Sequence, residues 1–579
     1  MASDPDVQSG PARWQAVAGA VLVALCIGVN LWHSRRTAKA PAFDDALYLE
    51  TSFKLYRALT EQGPATFLSE YADSFKTKAP LFSVLPMPFY AVFGMSMRSM
   101  QLVNMAMLAL LGLYVFLFGR RLYGGTVGLM ALAAAMTLPQ LFCLSRVLQV
   151  EVSLAAVVTG FLYHLWSSEG LSRRGHAAAS GLLLGAGLLL KVLFPVFVLG
   201  PALLMFFLRW RAFRAERRAA GAQAGWREFL SELEPSLKLV LGLGAAVALT
   251  WYAWNLLYVT GYFFRASVGD IASHYGDTKV WSPAVILKYW GILVFNEVSP
   301  YYVVLGLTLS AWALVRRSFP GQGTLMLGLW LGLPLVAATL GVNKEARIIA
   351  PCLPALALLM ARGLDFALGA SAKGRLACAV LLVFPVIQYC HVSFGGVLPE
   401  LTAGSRPLVT PPSRLGGAPL GSAGWDHSGL MERISDAVGA GPAVVALGSE
   451  TDSINANNMS YFSSLAGHPI KFISYGWMEG RIEMVVARLQ DRGATHLLEV
   501  RGLPEEVLPP TVRVVEPQVQ ALIAQGRLPF RRVLEYRPAP GVTAVLYERN
   551  GEIRLFGAPP PGATAPRMTA PASRARPRR

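Results

Sequence analysis

Charge is what this chain has least of. Asp, Glu, Lys and Arg make up 15% of its 579 residues and 54% are hydrophobic, a balance too apolar for an ordinary globular protein. Acidic residues are the scarcer sign, 35 against 52 basic, for a net charge of +17. The basic residues sit mainly between apolar runs and in the C-terminal tail, which argues against nucleic acid and for membrane phospholipid as their partner. Cysteine is rare: Cys26, Cys143, Cys352, Cys378 and Cys390 all lie within or beside apolar runs. No two have metal-ligand spacing, so neither structural zinc nor a disulfide framework is expected. A Gly-rich phosphate loop is missing too, since "ALGSETDS" holds one glycine.

What the chain has in abundance is long apolar runs. Stretches of spanning length recur at about 14–33, 98–118, 125–143, 148–166, 177–193, 196–209, 237–258, 298–315, 323–341, 348–366 and 374–394, which predicts a polytopic α-helical membrane protein of about 11 crossings. The first run is followed by the polar "HSRRT" and is long for a signal peptide, so it reads as a retained helix. The connectors "GRRLYG", "GLSRRG", "RWRAFRAERR", "RRS" and "KGR" are basic and place one face in the cytoplasm. The opposite loops carry carboxylates, cations and aromatics, and chemistry is expected there. After residue 395 the composition turns to Gly, Pro and Ser. This predicts a membrane domain over 1–395, a linker over 396–425 and a small extracytoplasmic α/β domain over 426–557, with "AVVALG" and "THLLEV" as buried strands and "RIEMVVARLQDRG" as an amphipathic helix. A disordered basic tail, 558–579, follows.

On the outer face the adjacent carboxylates Asp44 and Asp45 open a segment, "LYLETSFKLYRALTEQG", that reads as an interfacial helix. Both have a plain reading as solvated loop acids, and Arg146 and Glu151 one as helix-capping charges. Lys191 is harder to dismiss, because it stands in the almost unbroken apolar "GLLLGAGLLLKVLFPVF". An ammonium at membrane depth costs about 2.5–3.5 kcal/mol unless it snorkels or is paired. Lys78 precedes a proline-broken apolar segment, and broken backbone survives at that depth only where it is buried or lines a cavity. Carboxylates at one end of a cavity and cations near the lipid suit a lipid phosphate donor: the cations neutralise phosphate oxygens, and an aspartate takes the proton of an attacking hydroxyl.

These elements, in this order, resemble those of the GT-C-fold glycosyltransferases that use polyprenyl-phosphate sugars, which include the dolichyl-phosphate-mannose protein mannosyltransferases and the bacterial aminoarabinose transferases. The resemblance covers about residues 14–395. "FDD" at Phe43 to Asp45 is similar to the family's Asp-Glu pair, "KTKAPLFSVL" to its Lys-Pro-Pro-Leu-Phe element and "SRVLQVEVSLAAV" to its Arg-x4-Asp segment. "GLLLKVLFP" is similar to its Thr-Lys-Gly segment and "NKEARIIAPCLPALALL" to its Arg-Tyr-x2-Pro-x-Leu-Pro run. The resemblance implies a catalytic pair, Asp44 as base with Asp45 beside it. It further implies donor-phosphate binding by Lys78, Arg146, Lys191 and Arg347, and substrate contacts from Glu151, His274 and Tyr48. Aminoarabinose transferases carry a metal-site acid where this chain has Thr77, so no metal or other cofactor is expected.

The function so implied is inverting transfer of a sugar from a polyprenyl phosphate to a lipid, glycan or protein acceptor at the outer face of the inner membrane. Two rival readings are a transporter and a non-catalytic scaffold for the α/β domain. A transporter predicts internal repeats and paired broken helices, neither of which the sequence shows.

Overall fold

The computed structural model describes residues 13–553 apart from 224, 270, 273–278, 316–320, 370, 415, 421–423 and 478. His274 and the expected tail 558–579 lie outside the described residues. The chain divides into two compact units, Met1–Ala423 and Gly424–Arg579.

The first unit is helical, and each apolar run is carried by helix. Among the described residues seven helices are long and apolar enough to cross a membrane: Arg13–Arg36, Met97–Tyr123, Phe194–Ala219, Trp226–Ser267, Gln322–Leu340, Ala346–Leu368 and Ala372–Phe394. An eighth crossing comes from Pro283–Val298 and Pro300–Leu309 if that pair, bent by 101° at Ser299, counts as one. The remaining runs are divided by their own breakers. Leu138 and Pro139 end Gly125–Thr137 and start Pro139–Leu144, since the residue before proline is driven to extended backbone. Glu151–Ser167 and Arg174–Leu190 have 17 residues each. Length and composition thus support fewer full crossings than the 11 expected.

Helices Arg174–Leu190 and Trp226–Ser267 approach to backbone contact through glycines, as small residues permit in lipid. A Cβ built at Gly185 falls 2.5 Å from Val247 Cβ and 2.7 Å from the Gly244 carbonyl oxygen, and one at Gly181 falls 2.8 Å from the Val240 carbonyl oxygen.

The segment expected as a linker, 396–425, makes ordered contacts within the first unit. Strands β1 (Thr402–Ala403) and β2 (Arg406–Pro407) form a short hairpin. Beyond it the chain returns onto the membrane unit: Leu420 O accepts from Ala38 N at 2.8 Å, His33 Nε2 meets Ala418 O at 3.0 Å, and Arg414 pairs with the buried Glu297.

The second unit is a five-stranded sheet in the order β4-β3-β5-β7-β6, from β3 (Ala443–Leu447), β4 (Ile470–Ser474), β5 (His496–Arg501), β6 (Phe530–Ala539) and β7 (Val542–Arg549). β3, β4 and β5 are parallel, and β7 runs antiparallel to β5 and β6. Side chains alternate across it: Val445, Leu447, Leu498 and Leu546 pack with helices His427–Val438 and Ala456–Ala466, while Ala446, Leu497 and Val545 pack with Ile482–Asp491 and Pro510–Ala524. Helices thus cover both faces, as the buried "AVVALG" and "THLLEV" runs require.

Because the glycine contact fixes the helix that ends at Lys191, Gly185→Leu should cost about 1–3 kcal/mol by overpacking. The expected result is a lowered thermal midpoint in detergent, read by size-exclusion chromatography after heating. A midpoint equal to wild type would mean that the helices separate there without cost.

Candidate active site

The charged residues of the first unit gather where helices break. Asp44 and Asp45 occupy the first turn of Asp44–Arg57, where negative charge meets the positive helix end. The helix is seated by Ala46, Leu49 and Phe53, all fully buried on one face. Lys78 lies on the loop after helix Pro64–Asp73, which is pinned by Trp251 Nε1 to Ser74 O (3.3 Å) and Asn255 Nδ2 to Ala72 O (2.7 Å). Three non-glycine residues flanking these groups have positive φ: Phe43 at 46°, Phe75 at 57° and Lys76 at 54°. Such backbone costs of order 1–3 kcal/mol per residue and persists only where its surroundings enforce it. Glu151 opens helix Glu151–Ser167. Lys191 directly follows Leu190, the last residue of its helix, and Arg347 sits on the 3₁₀ turn Ala346–Cys352.

Their side chains form a ladder of alternating charge. Lys78 Nζ donates to Asp44 Oδ1 at 2.6 Å, and Arg347 Nη2 donates to Asp44 Oδ2 at 3.1 Å. Arg347 Nε lies 2.9 Å from Glu345 Oε2 and 3.8 Å from Glu151 Oε1, and Lys191 Nζ donates to the same Glu151 oxygen at 2.8 Å. Glu151 Oε2 is buried with no hydrogen-bond partner among the described residues. Burial pushes the Asp44 carboxyl up, but Lys78 and Arg347 together outweigh it and hold the group well below the usual carboxylate range. Asp45, without a direct cation, is pushed up to about 6 by burial and the neighbouring Asp44 charge, against hydrogen bonds from Gln149 and the Leu148 amide.

The ladder lines the polar end of a cavity of about 380 Å³, together with Tyr48, whose ring lies under the Lys78 ammonium at 5.7 Å. The other walls are apolar, with Val196, Phe197, Val259, Phe263, Pro334 and Ala337 among them. The arrangement can hold an amphiphile: an anionic group against Lys78, Lys191 and Arg347, and a hydrocarbon chain along the rest.

Of the residues singled out in the sequence, Asp44, Tyr48, Lys78, Glu151, Lys191 and Arg347 face this one cavity, with Asp45 beside it. Arg146, expected at the donor phosphate, does not line this cavity. It is 2% exposed and spent elsewhere: Nε donates to Asn30 Oδ1 (2.8 Å), Nη2 to Ser393 Oγ (2.6 Å) and Nη1 to Gly417 O, with the guanidinium over the Phe142 and Tyr389 rings. It ties the returning segment, through Gly417 O, to Asn30 and Ser393. Gln149 and Glu345, not singled out in the sequence, both line the cavity. Among the described residues no three His, Cys, Asp or Glu side chains converge as metal ligands would.

The chain has the fold of the GT-C membrane proteins and resembles the polyprenyl-phosphate-sugar glycosyltransferases. Residues 77–220 match the family described as dolichyl-phosphate-mannose-protein mannosyltransferase. Among solved structures, ArnT from Cupriavidus metallidurans bound to undecaprenyl phosphate is similar with a TM-score of 0.55 at 14% identity, over 91% of this chain and 97% of that one. Its apo state gives 0.53 at the same identity and coverage. No curated protein sequence matches the chain.

Removing Arg146 leaves buried acceptors without a donor, each worth about 1–3 kcal/mol. Arg146→Met should therefore lower the thermal midpoint sharply while leaving the KM for a lipid donor unchanged in the folded fraction. Normal melting with a raised donor KM would return Arg146 to the donor site.

Proposed function

We propose that the chain transfers a sugar from a polyprenyl-phosphate donor to a hydroxyl of a lipid, glycan or protein acceptor, with inversion, on the outer face of the inner membrane. The observation that carries this reading is the charge ladder at the polar end of an apolar-walled cavity. Lys78, Lys191 and Arg347 bind the donor phosphate, and the prenyl chain follows the apolar wall. Phosphate oxygens then replace Asp44 as partners of Lys78 and Arg347. This frees the Asp44 carboxylate and raises its basicity as the cations turn to the phosphate.

The chemistry balances without another reactant. The acceptor oxygen attacks the anomeric carbon from the face opposite the phosphate, and the bond from that carbon to the phosphate oxygen breaks. The acceptor proton passes to Asp44, and polyprenyl phosphate leaves with its charge held by the three cations. A carboxylate suffices as base when the proton leaves late, after positive charge has developed on the sugar. The free Oε2 of Glu151 and the Tyr48 hydroxyl are placed to take sugar hydroxyls. The reading requires no divalent metal, in keeping with Thr77 at the position of the aminoarabinose transferases' metal-site acid.

Asp44→Asn keeps the volume and removes the base. Transfer from a labelled polyprenyl-phosphate sugar by the purified protein should fall on the order of 10²–10⁴-fold, with Asp45→Asn falling less. Near-normal transfer by Asp44→Asn would move the base elsewhere, and its silence in cells lacking the native copy would favour the scaffold reading.

The sidedness is tested separately. In a cysteine-free background, single cysteines at the exposed positions Thr60, Ala220 and Asp491 meet an impermeant thiol reagent on intact spheroplasts. Thr60 and Asp491 should label and Ala220 should not. Labelling of Ala220 alone would put the carboxylates in the cytoplasm, where nucleotide sugars serve as donors.

A further inference from the structure

Gln149 joins the acid pair to the cation that bridges it. Its Oε1 accepts from Arg347 Nη1, and its Nε2 donates to Asp45 Oδ1 at 2.5 Å. The turn that carries it is anchored to helix Met97–Tyr123 by two further amides: Asn104 Nδ2 donates to Val147 O at 2.5 Å and Gln101 Nε2 to Arg146 O at 3.4 Å. The turn is thus tied to a long helix independently of the two groups that the Gln149 side chain bridges.

We propose that Gln149 is a positioning residue for the transfer, an amide clamp that fixes the Arg347 guanidinium and the Asp45 carboxylate as one rigid unit. The inference rests on the reading of Arg347 as a donor-phosphate ligand. The residue type fits the task, because an amide offers an acceptor to the guanidinium and a donor to the carboxylate at once. A glutamate would repel Asp45, a leucine would satisfy neither partner, and an asparagine is one methylene short.

The clamp has two consequences. Arg347 already reaches Asp44, Glu345 and Glu151. Gln149 takes Nη1, so the face turned to the cavity keeps one orientation when phosphate replaces Asp44. Asp45 meanwhile faces the Asp44 charge and the more distant Arg347, with Lys78 beyond Asp44. The Gln149 hydrogen bond favours its ionised form, so removing that bond moves its titration upward.

The test uses the full chain in detergent micelles, as wild type, Gln149→Leu and Gln149→Asn. Infrared spectra collected against pH follow the protonated-carboxyl band of Asp45, assigned by its loss in Asp45→Asn. Binding of a polyprenyl phosphate is titrated on the same samples. In both Gln149 variants the band should persist to a pH about one unit higher, and the polyprenyl phosphate should bind roughly tenfold more weakly. Folded variants with wild-type titration and affinity would overturn the clamp and leave the donor reading intact. An upward shift in the titration, in a protein whose wild type binds no polyprenyl phosphate, would support the clamp and overturn the donor reading.

Discussion

The ion pair between Glu151 and Lys191 sets the terms for the membrane unit. The Glu151 side chain is 1% exposed, and an unpaired carboxylate taken out of water costs several kcal/mol even after its surroundings relax. Lys191 offsets that cost only if its stem can reach across, and it does so from the residue after a helix end, where the backbone has already turned away from the helical path. Helix Phe194–Ala219 begins soon after, with proline in its first turn. The buried carboxylate is thus met from the break between two apolar runs, where Pro195 opens the second helix. The break supplies part of the cavity wall, and irregular backbone is tolerated at this depth because it lines that cavity.

The same logic explains which parts could be read from the sequence. Apolar runs announce helices directly, and Lys191 stood out because an ammonium inside such a run has few innocent explanations. Run length alone does not fix the number of complete crossings. Whether Gly125–Thr137 or Arg174–Leu190 spans depends on where a proline or an ion pair ends the helix, which run length does not record. The partners of Arg146 are not legible either, because they are neutral, and Asn30, Ser393 and Gly417 lie 116, 247 and 271 residues away. Gln149 carried no signal for the same reason: an amide is unremarkable until Asp45 and Arg347, 104 and 198 residues distant, are brought to either end of it.

In the second unit the contrast is one of strand type. β3 and β5 are central, buried on both faces and nearly continuous in apolar residues, so "AVVALG" and "THLLEV" declared themselves. β6 lies at the sheet edge and is largely exposed. Its "FRRVLEYRPA" mixes charge with apolar positions, as an edge strand must to avoid pairing with another chain, and that mixture hides it from a search for buried runs. Segment 396–425 shows a different ambiguity. Gly416 packs against Val147 and Cys143, and Gly417 against Val392, while Ala418 O meets His33 of helix Arg13–Arg36; composition does not separate such packing from a free loop.

Under the proposed reading, the ladder also accounts for turnover. Without donor, the cations Lys78, Arg347 and Lys191 are neutralised by Asp44, Glu151 and Glu345 from the chain itself, so no bare charge faces lipid. A donor phosphate then exchanges with carboxylates already in place, and the gain is the difference between two ion pairs rather than the whole of one. That difference limits how tightly the phosphate is held, and therefore how tightly the departing polyprenyl phosphate is held after transfer. The strained residues Phe43, Phe75 and Lys76 fit this picture, because they hold Asp44 and Lys78 near their places through the exchange. When the lipid leaves, the carboxylates close again on cations that have scarcely moved.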